Sequence, residues 1–330
     1  MISSDDNYKE EISIKAITCI KYGPPEVLQL KEVEKPIPKN NEVLVKIHAT
    51  AVTASDCVIR GFNMPGNPSF PKKQIMELMM RIFLGFSKPR NPIIGLVFSG
   101  VVESVGNDVE LFNKGDQVYG FTGNSRGTYA EYKCVSTKEI EQGELALKPK
   151  NISHKEAAAI VYGGALAMHF MQDGDIQDGK KVLIYGASGA IGTTAVQLAK
   201  QLGAEVTAVC SSTNRELVKS LGADKVIDYT KEDSLNQLEL YDFILDAVGK
   251  NKSSKLKRQC ETALSNSGKY VSVDDGFLKI RPQYLIKLNE LIKAGHVKAV
   301  IDRNYPLEEI VEAHKYVDQG HKKGNVVITV

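Results

Sequence analysis

At 330 residues, with 25% charged side chains and a net charge of +2, the chain is long for one core and suits two domains. No basic excess marks a nucleic-acid partner. The five cysteines (Cys19, Cys57, Cys134, Cys210 and Cys260) stand far apart with no CxxC pair, which predicts free thiols in a reducing compartment rather than a disulfide framework or a structural zinc lobe. Residues 1–11 are polar and acidic, and no apolar run is long enough to cross a bilayer, so a cytoplasmic location is expected.

From Ile12 to Lys148 short strand signals alternate with turn residues. Residues 15–22, 42–52, 100–105 and 116–120 fit β segments, parted by clusters such as Gly23-Pro24-Pro25 and Pro36-Ile37-Pro38. This predicts a β-rich domain of the partly open barrel type. Residues 71–90 interrupt it with Ile75, Met76, Leu78, Met79, Met80, Ile82, Phe83, Leu84 and Phe86 between basic flanks. The apolar residues surround the helix, which favours a helix packed into the first domain or a lid over a cleft. Contact with a membrane surface is the lesser alternative.

From Ser153 the pattern changes to alternating helix and strand. Ser153 with Glu156 three residues later reads as a capping box before Ala157-Ala158-Ala159. Strands follow at 181–185, 205–210, 225–228, 241–247 and 269–273. Such alternation makes the chain an α/β protein whose parallel sheet is covered on both faces. A helix at 283–294 and an apolar strand at 325–330 close the chain, and that strand is expected to return to the first domain. The expected division is residues 1–152, 153–282 and 283–330.

The most specific signal joins the first of these strands to its helix, in Tyr185-Gly186-Ala187-Ser188-Gly189-Ala190-Ile191-Gly192. Glycine at 189 lets a backbone approach a diphosphate, and glycine at 192 lets the helix pack closely on its strand. The first helical N–H groups then face the anion with the positive end of the helix dipole behind them. After the second strand, where NAD-preferring sites carry an acid for the ribose, stand Ser211, Ser212 and Arg215. Hydroxyls and a guanidinium would hold a 2′-phosphate that a carboxylate would repel, so NADP(H) is the expected cofactor.

Ordered motifs extend well beyond the glycine turn. Tyr22-Gly23-Pro24-Pro25-Glu26-Val27-Leu28, Asn41-Glu42-Val43-Leu44-Val45-Lys46, Val105-Gly106-Asn107-Asp108-Val109, Lys114-Gly115-Asp116-Gln117-Val118, Gly127-Thr128-Tyr129-Ala130-Glu131-Tyr132 and Leu221-Gly222-Ala223-Asp224 together resemble the medium-chain dehydrogenase/reductase superfamily, in its zinc-free quinone oxidoreductase-like branch. The resemblance implies a GroES-like catalytic domain, a Rossmann doubly wound parallel sheet, and an active cleft between them. It implies diphosphate contacts at Ser188, Gly189, Ala190 and Ile191, Tyr229 beside the adenosine half, Val248 and Gly249 along the nicotinamide half, and Asn325 approaching the nicotinamide from the other domain. It further implies hydride transfer from NADPH to a quinone or an α,β-unsaturated carbonyl.

Several positions depart from that family. Thr53 and Leu96 stand where zinc members carry metal ligands, and neither is a credible one; Cys57 has no histidine or second cysteine at useful spacing. Val58, Leu96-Val97-Phe98 and Leu166 replace polar residues, which makes the expected cleft apolar and its substrate a small, greasy electrophile. Thr53 is the best candidate for a polar contact there. The alternative is a dinucleotide-binding protein with little turnover, in a structural or redox-sensing role. After Val273, residues 274–282 are too few for the helix and strand that relatives carry, so the Rossmann sheet is expected to be truncated at one edge, which puts the usual dimer in doubt.

Overall fold

The computed structural model describes residues 12–63, 72–249, 254–275 and 281–330; the polar N-terminal stretch lies outside them. Strands β1 (Ser13–Cys19) and β2 (Leu28–Glu34) form an antiparallel pair. A seven-stranded sheet carries β3 (Glu42–Val52), β4 (Val97–Val105), β5 (Gln117–Phe121), β6 (Tyr132–Ser136) and β7 (Leu145–Leu147). Its order is β13 (Ile301–Pro306), β14 (Asn325–Thr329), β3, β4, β5, β7, with β6 paired to β3, and it does not close into a barrel.

The parallel sheet holds β8 (Lys181–Tyr185), β9 (Glu205–Cys210), β10 (Lys225–Asp228), β11 (Tyr241–Asp246) and β12 (Leu264–Ser272), in the order β10-β9-β8-β11-β12. Burial on both faces explains the unbroken apolar runs. Val182, Ile184 and Leu245 point into one cluster while Leu183 and Ile244 point into another, all fully buried. Among the described residues this sheet ends at β12, as the short 274–282 segment led one to expect. The open edge is blunted by Ser265, Asn266, Ser267 and Lys269, all polar.

The C-terminal return also appears. Strands β13 (Ile301–Pro306) and β14 (Asn325–Thr329) run parallel to each other, and β14 pairs antiparallel with β3, with Ile328 opposite Thr50. The polar β13 was not legible as a strand because its order comes from pairing, not from its own pattern. Ser153 caps the helix His154–Met171 as its spacing requires: its N–H and hydroxyl donate to Glu156 Oε2 at 2.8 and 2.7 Å.

One expectation is corrected. The helix Lys72–Leu84 is not packed into the first domain: Met79 is 63% and Phe83 58% exposed, and Ile75, Leu78 and Ile82 are more than half exposed. Of its apolar residues only Leu84 is buried. Apolar residues all round a helix lead one to expect burial, but no second layer of the described chain lies over this one.

Candidate active site

The site grows from the turn after β8. Gly186 has φ +81°, and a side chain there would meet Val248 Cγ2 at 2.4 Å. Gly192 is required for packing, since a Cβ would lie 2.2 Å from Gly186 O and 2.6 Å from Ala187 Cα. Gly189 is different: its ordinary φ of −82° and a nearest contact of 3.5 Å leave room for a methyl group. Nothing among the described residues therefore demands a glycine at 189. Gly189 caps the helix Ala190–Gln201 without any side-chain hydrogen bond, and no acid sits in the first turn. Those N–H groups, with the helix dipole behind them, form a ready cradle for an anion.

The loop after β9 closes one side of the cradle. Asn214, 8% exposed, donates from Nδ2 to Ser188 Oγ at 3.0 Å and to Ser211 Oγ at 3.4 Å, while its buried Oδ1 has no partner. Such an orphaned acceptor beside a turn fits the hydroxyl-rich sugar edge of a nucleotide. Asn214 was not assigned a role from sequence; its signal lay in the string Ser211-Ser212-Thr213-Asn214-Arg215, where the hydroxyls and the guanidinium drew the inference. Ser212 faces Asp228, Arg215 opens the helix Arg215–Ser220, and Tyr229 is 47% exposed.

The far end of the cradle is the turn after β11. Buried Asp246 accepts from the Val248 and Gly249 N–H groups at 3.1 and 3.2 Å, from Ser272 Oγ at 3.0 Å and from Tyr270 OH at 3.2 Å. Lys257 pairs with it at 2.7 Å, the two side chains being 5% and 1% exposed, and also donates to Gly249 O. Desolvation together with this carboxylate pushes the Tyr270 hydroxyl well above its usual range. One carboxylate thus fixes the backbone at Val248 and Gly249.

The second sheet meets the turn directly. Gly324 N–H donates to Ser188 O at 2.8 Å, and Gly189 and Gly324 form a parallel bridge. Gly163 on the helix His154–Met171 leaves no space for a side chain against Ala190 O, 2.2 Å from its ideal Cβ. Asn325 follows at once, 7% exposed, with its N–H and Nδ2 both donating to Val300 O at 2.9 and 3.1 Å. Lys322 donates to Gly324 O at 2.6 Å, and burial lowers its ammonium to about 8.

Across the crevice stands the helix Ala54–Gly61. Thr53 caps it: its N–H and hydroxyl donate to Asp56 Oδ2 at 2.8 and 2.7 Å, and its Oγ accepts from Asp56 N–H at 3.2 Å. The hydroxyl is thereby engaged in the helix terminus. Burial raises the Asp56 carboxyl to about 6 against the pull of Thr53, Tyr129 and Arg126, and its Oδ1 has no partner. Ser55 supplies the accessible hydroxyl instead, 2.7 Å from Tyr162 OH. Tyr162 stacks on Phe121 with ring centroids 5.8 Å apart. Beside Phe121, with Leu96 and Ile59, opens a cavity of about 360 Å³.

Sequence spacing missed a pairing here. Cys57 does have a histidine neighbour: His314 Nδ1, on the helix Ile310–Asp318, lies 3.5 Å from its sulfur. The same nitrogen accepts from Arg60 Nη1 at 3.2 Å, so Nε2 carries the proton and donates to Tyr129 OH at 3.2 Å. Burial and Arg60 hold His314 neutral, down to about 3. The partners lie 257 residues apart in the chain, beyond any local pattern. Among the described residues no group of three or more His, Cys, Asp or Glu is placed to hold a metal ion.

Comparison with known proteins agrees with this geometry. Residues 39–144 match the alcohol dehydrogenase GroES-like domain, and residues 190–301 and 276–328 match zinc-binding dehydrogenase families. The chain is 33% identical to the mitochondrial NAD(P)H oxidoreductase RTN4IP1 of Mus musculus, over 94% of this chain and 87% of that protein. It is likewise 33% identical to the 2-methylene-furan-3-one reductase of Solanum lycopersicum, over 96% and 79%. The quinone oxidoreductase structure from Coxiella burnetii superposes with a TM-score of 0.80 at 28% identity, covering 96% of this chain and 99% of that one. A glycine turn facing a crevice closed by a second, GroES-like sheet, together with this likeness along nearly the whole chain, makes the protein a member of the medium-chain dehydrogenase/reductase superfamily, in its quinone oxidoreductase-like branch.

Proposed function

We propose that the protein is a zinc-independent, NADPH-dependent oxidoreductase that reduces a quinone or an α,β-unsaturated carbonyl. The observation that carries the reading is the cradle: Gly189 is free of steric demand from the fold yet heads an uncapped helix facing the second sheet. When bound, NADPH supplies a hydride to an electron-poor double bond. The chain's own residues bind and orient. Ser188, Gly189, Ala190 and Ile191 hold the diphosphate, Ser211, Ser212 and Arg215 the 2′-phosphate, and Tyr229 flanks the adenosine. Val248 and Gly249, set by Asp246, and Asn325, set by Val300 O, border the nicotinamide. Thr53 shapes the cleft through its cap, and the Ser55–Tyr162 hydroxyl pair is the source of a proton for the product.

Zinc independence rests on Thr53 and Leu96, which stand where zinc members carry ligands. We assign residues 1–152 and 283–330 to the substrate-bearing unit and 153–282 to the nucleotide-binding one. The five cysteines are all free, and we place the protein in the cytoplasm, which tagging in cells tests. No helix among the described residues is long and apolar enough to cross a membrane. The polar edge at β12 speaks against the usual dimer of the family, which sedimentation tests.

The deciding experiment is steady-state consumption of NADPH with a panel of quinones and alkenals, alongside metal analysis. Saturable turnover without stoichiometric zinc is expected. Nucleotide binding with no turnover across the panel would replace this reading with a non-catalytic binding role.

A further inference from the structure

The cavity beside Leu96 and Phe121 has two unlike walls. Ile59, Leu96 and Phe121 form the apolar one, Leu96 being the residue that the sequence alone places in an apolar cleft. The other is made of Asn124, Arg126, Gln142 and Glu144. Its volume, about 360 Å³, is that of a small-molecule site. One of its walls leads toward the nucleotide helix: Phe121 stacks on Tyr162, and the next residue, Gly163, abuts Ala190 at the head of that helix.

Arg126 is the unusual member. It is only 6% exposed, yet its Nε has no hydrogen-bond partner among the described residues. The ionisable groups that act on it are Asp56 and the neutral Tyr22 hydroxyl, and burial lowers its own pKa. A buried guanidinium with a nitrogen that has no hydrogen-bond partner is costly, and a ligand that accepts from that nitrogen would remove the cost. Its fork of donors suits a planar, two-oxygen anion better than a lone carbonyl. Asn124 and Gln142 add amide groups to the same wall. Glu144 opposes an anion there less than an ordinary carboxylate would: it is 7% exposed with Oε2 unpaired, and burial and the nearby Glu139 charge raise its carboxyl to about 7. In its protonated form it donates a hydrogen bond.

We propose that Arg126, with Asn124 and Gln142, binds a carboxylate at the end of the substrate remote from the reacting double bond. The substrate class is then an electrophilic enal or enone with an acidic tail, its apolar middle lying along Ile59, Leu96 and Phe121. This rests on the reductase reading above and narrows it.

The test compares straight-chain 2-alkenals with the same alkenals ending in a carboxylate, over several chain lengths, at saturating NADPH. At the matching length the acidic form should show kcat/KM at least about 10-fold higher, the worth of a charge-assisted contact. Arg126→Asn suits the backbone, since Arg126 has φ +50° and asparagine accepts that region. It should collapse the ratio of the two kcat/KM values to near one, while Arg126→Lys keeps part of it. Equal kcat/KM for the two forms in the unaltered protein, or a ratio that survives Arg126→Asn, overturns the proposal. A purely structural Arg126, neutralising Asp56, would lower both values together and leave the ratio intact. Should Arg126→Asn fail to fold, Arg126→Gln serves the same comparison. If neither alkenal is consumed, the reductase reading stands or falls on the wider panel of quinones and alkenals, and calorimetry with adipate and the NADPH-loaded protein decides the subsite. Uptake lost on replacing Arg126 supports it, and no uptake by the unaltered protein overturns it.

Discussion

Asn214 donates its side-chain N–H to the Ser188 hydroxyl, 3.0 Å away, and so ties the loop after β9 to the glycine turn after β8. The two segments that would grip the phosphates of a dinucleotide are joined before any ligand arrives, so less ordering cost falls on binding. Arg215 follows directly on this tie.

Cofactor choice tests that arrangement. Arg215→Ala should raise the Kd for NADPH about 10- to 100-fold, a loss of roughly 1–3 kcal/mol, and change the Kd for NADH less than about 2-fold. Fluorescence titration of both nucleotides checks it. Equal affinities in the unaltered protein would remove the preference for the phosphorylated form.

The two glycines of the turn should separate folding from binding. Gly192→Ala forces a methyl group against backbone at 2.2 and 2.6 Å, and should cost about 1–3 kcal/mol or more in urea unfolding. Gly189→Ala meets nothing closer than 3.5 Å and should leave stability within about 0.5 kcal/mol. Its dinucleotide affinity should nonetheless fall, read by calorimetry, because the added methyl group occupies the cradle.

Asp246→Asn should be the most damaging single change in the parallel sheet. It strands the Lys257 ammonium, buried beside it at 2.7 Å, and removes the carboxylate that accepts from Val248 and Gly249. Loss of one partner of a buried pair costs about 3–5 kcal/mol. Chemical denaturation measures this, and adding Lys257→Met should recover part of it. A loss below about 1 kcal/mol would show that water reaches the pair.

Glu144 predicts a pH effect on stability. Its folded pKa is raised, from an ordinary 4.5 to about 7, so the folded state binds the proton more tightly than the unfolded one. Its contribution is fully present below about pH 4.5 and is lost as pH rises through 7. Glu144→Gln should therefore gain stability over the parent between pH 5 and pH 8, by about 1–3 kcal/mol. Denaturation midpoints at the two pH values test the sign. A gain that does not grow with pH would show the carboxyl ionised throughout.

What could be read along the chain was whatever nearest neighbours decide. The apolar runs of β8 and β11, the capping box at Ser153 and the steric demand at Gly192 follow from strand pleat, helix caps and backbone contact within a few residues. The return of 325–330 to the first sheet and the shortened parallel sheet followed from order and length. The exposure of Lys72–Leu84 did not, because periodicity tells which residues are apolar but not whether another layer covers them. Nor did the meeting of Cys57 with His314, the contact of Gly324 with Ser188, or the unpartnered Nε of Arg126 in the cavity wall it shares with Glu144. Those depend on desolvation and on which distant segments share a wall, and only the packed chain sets both.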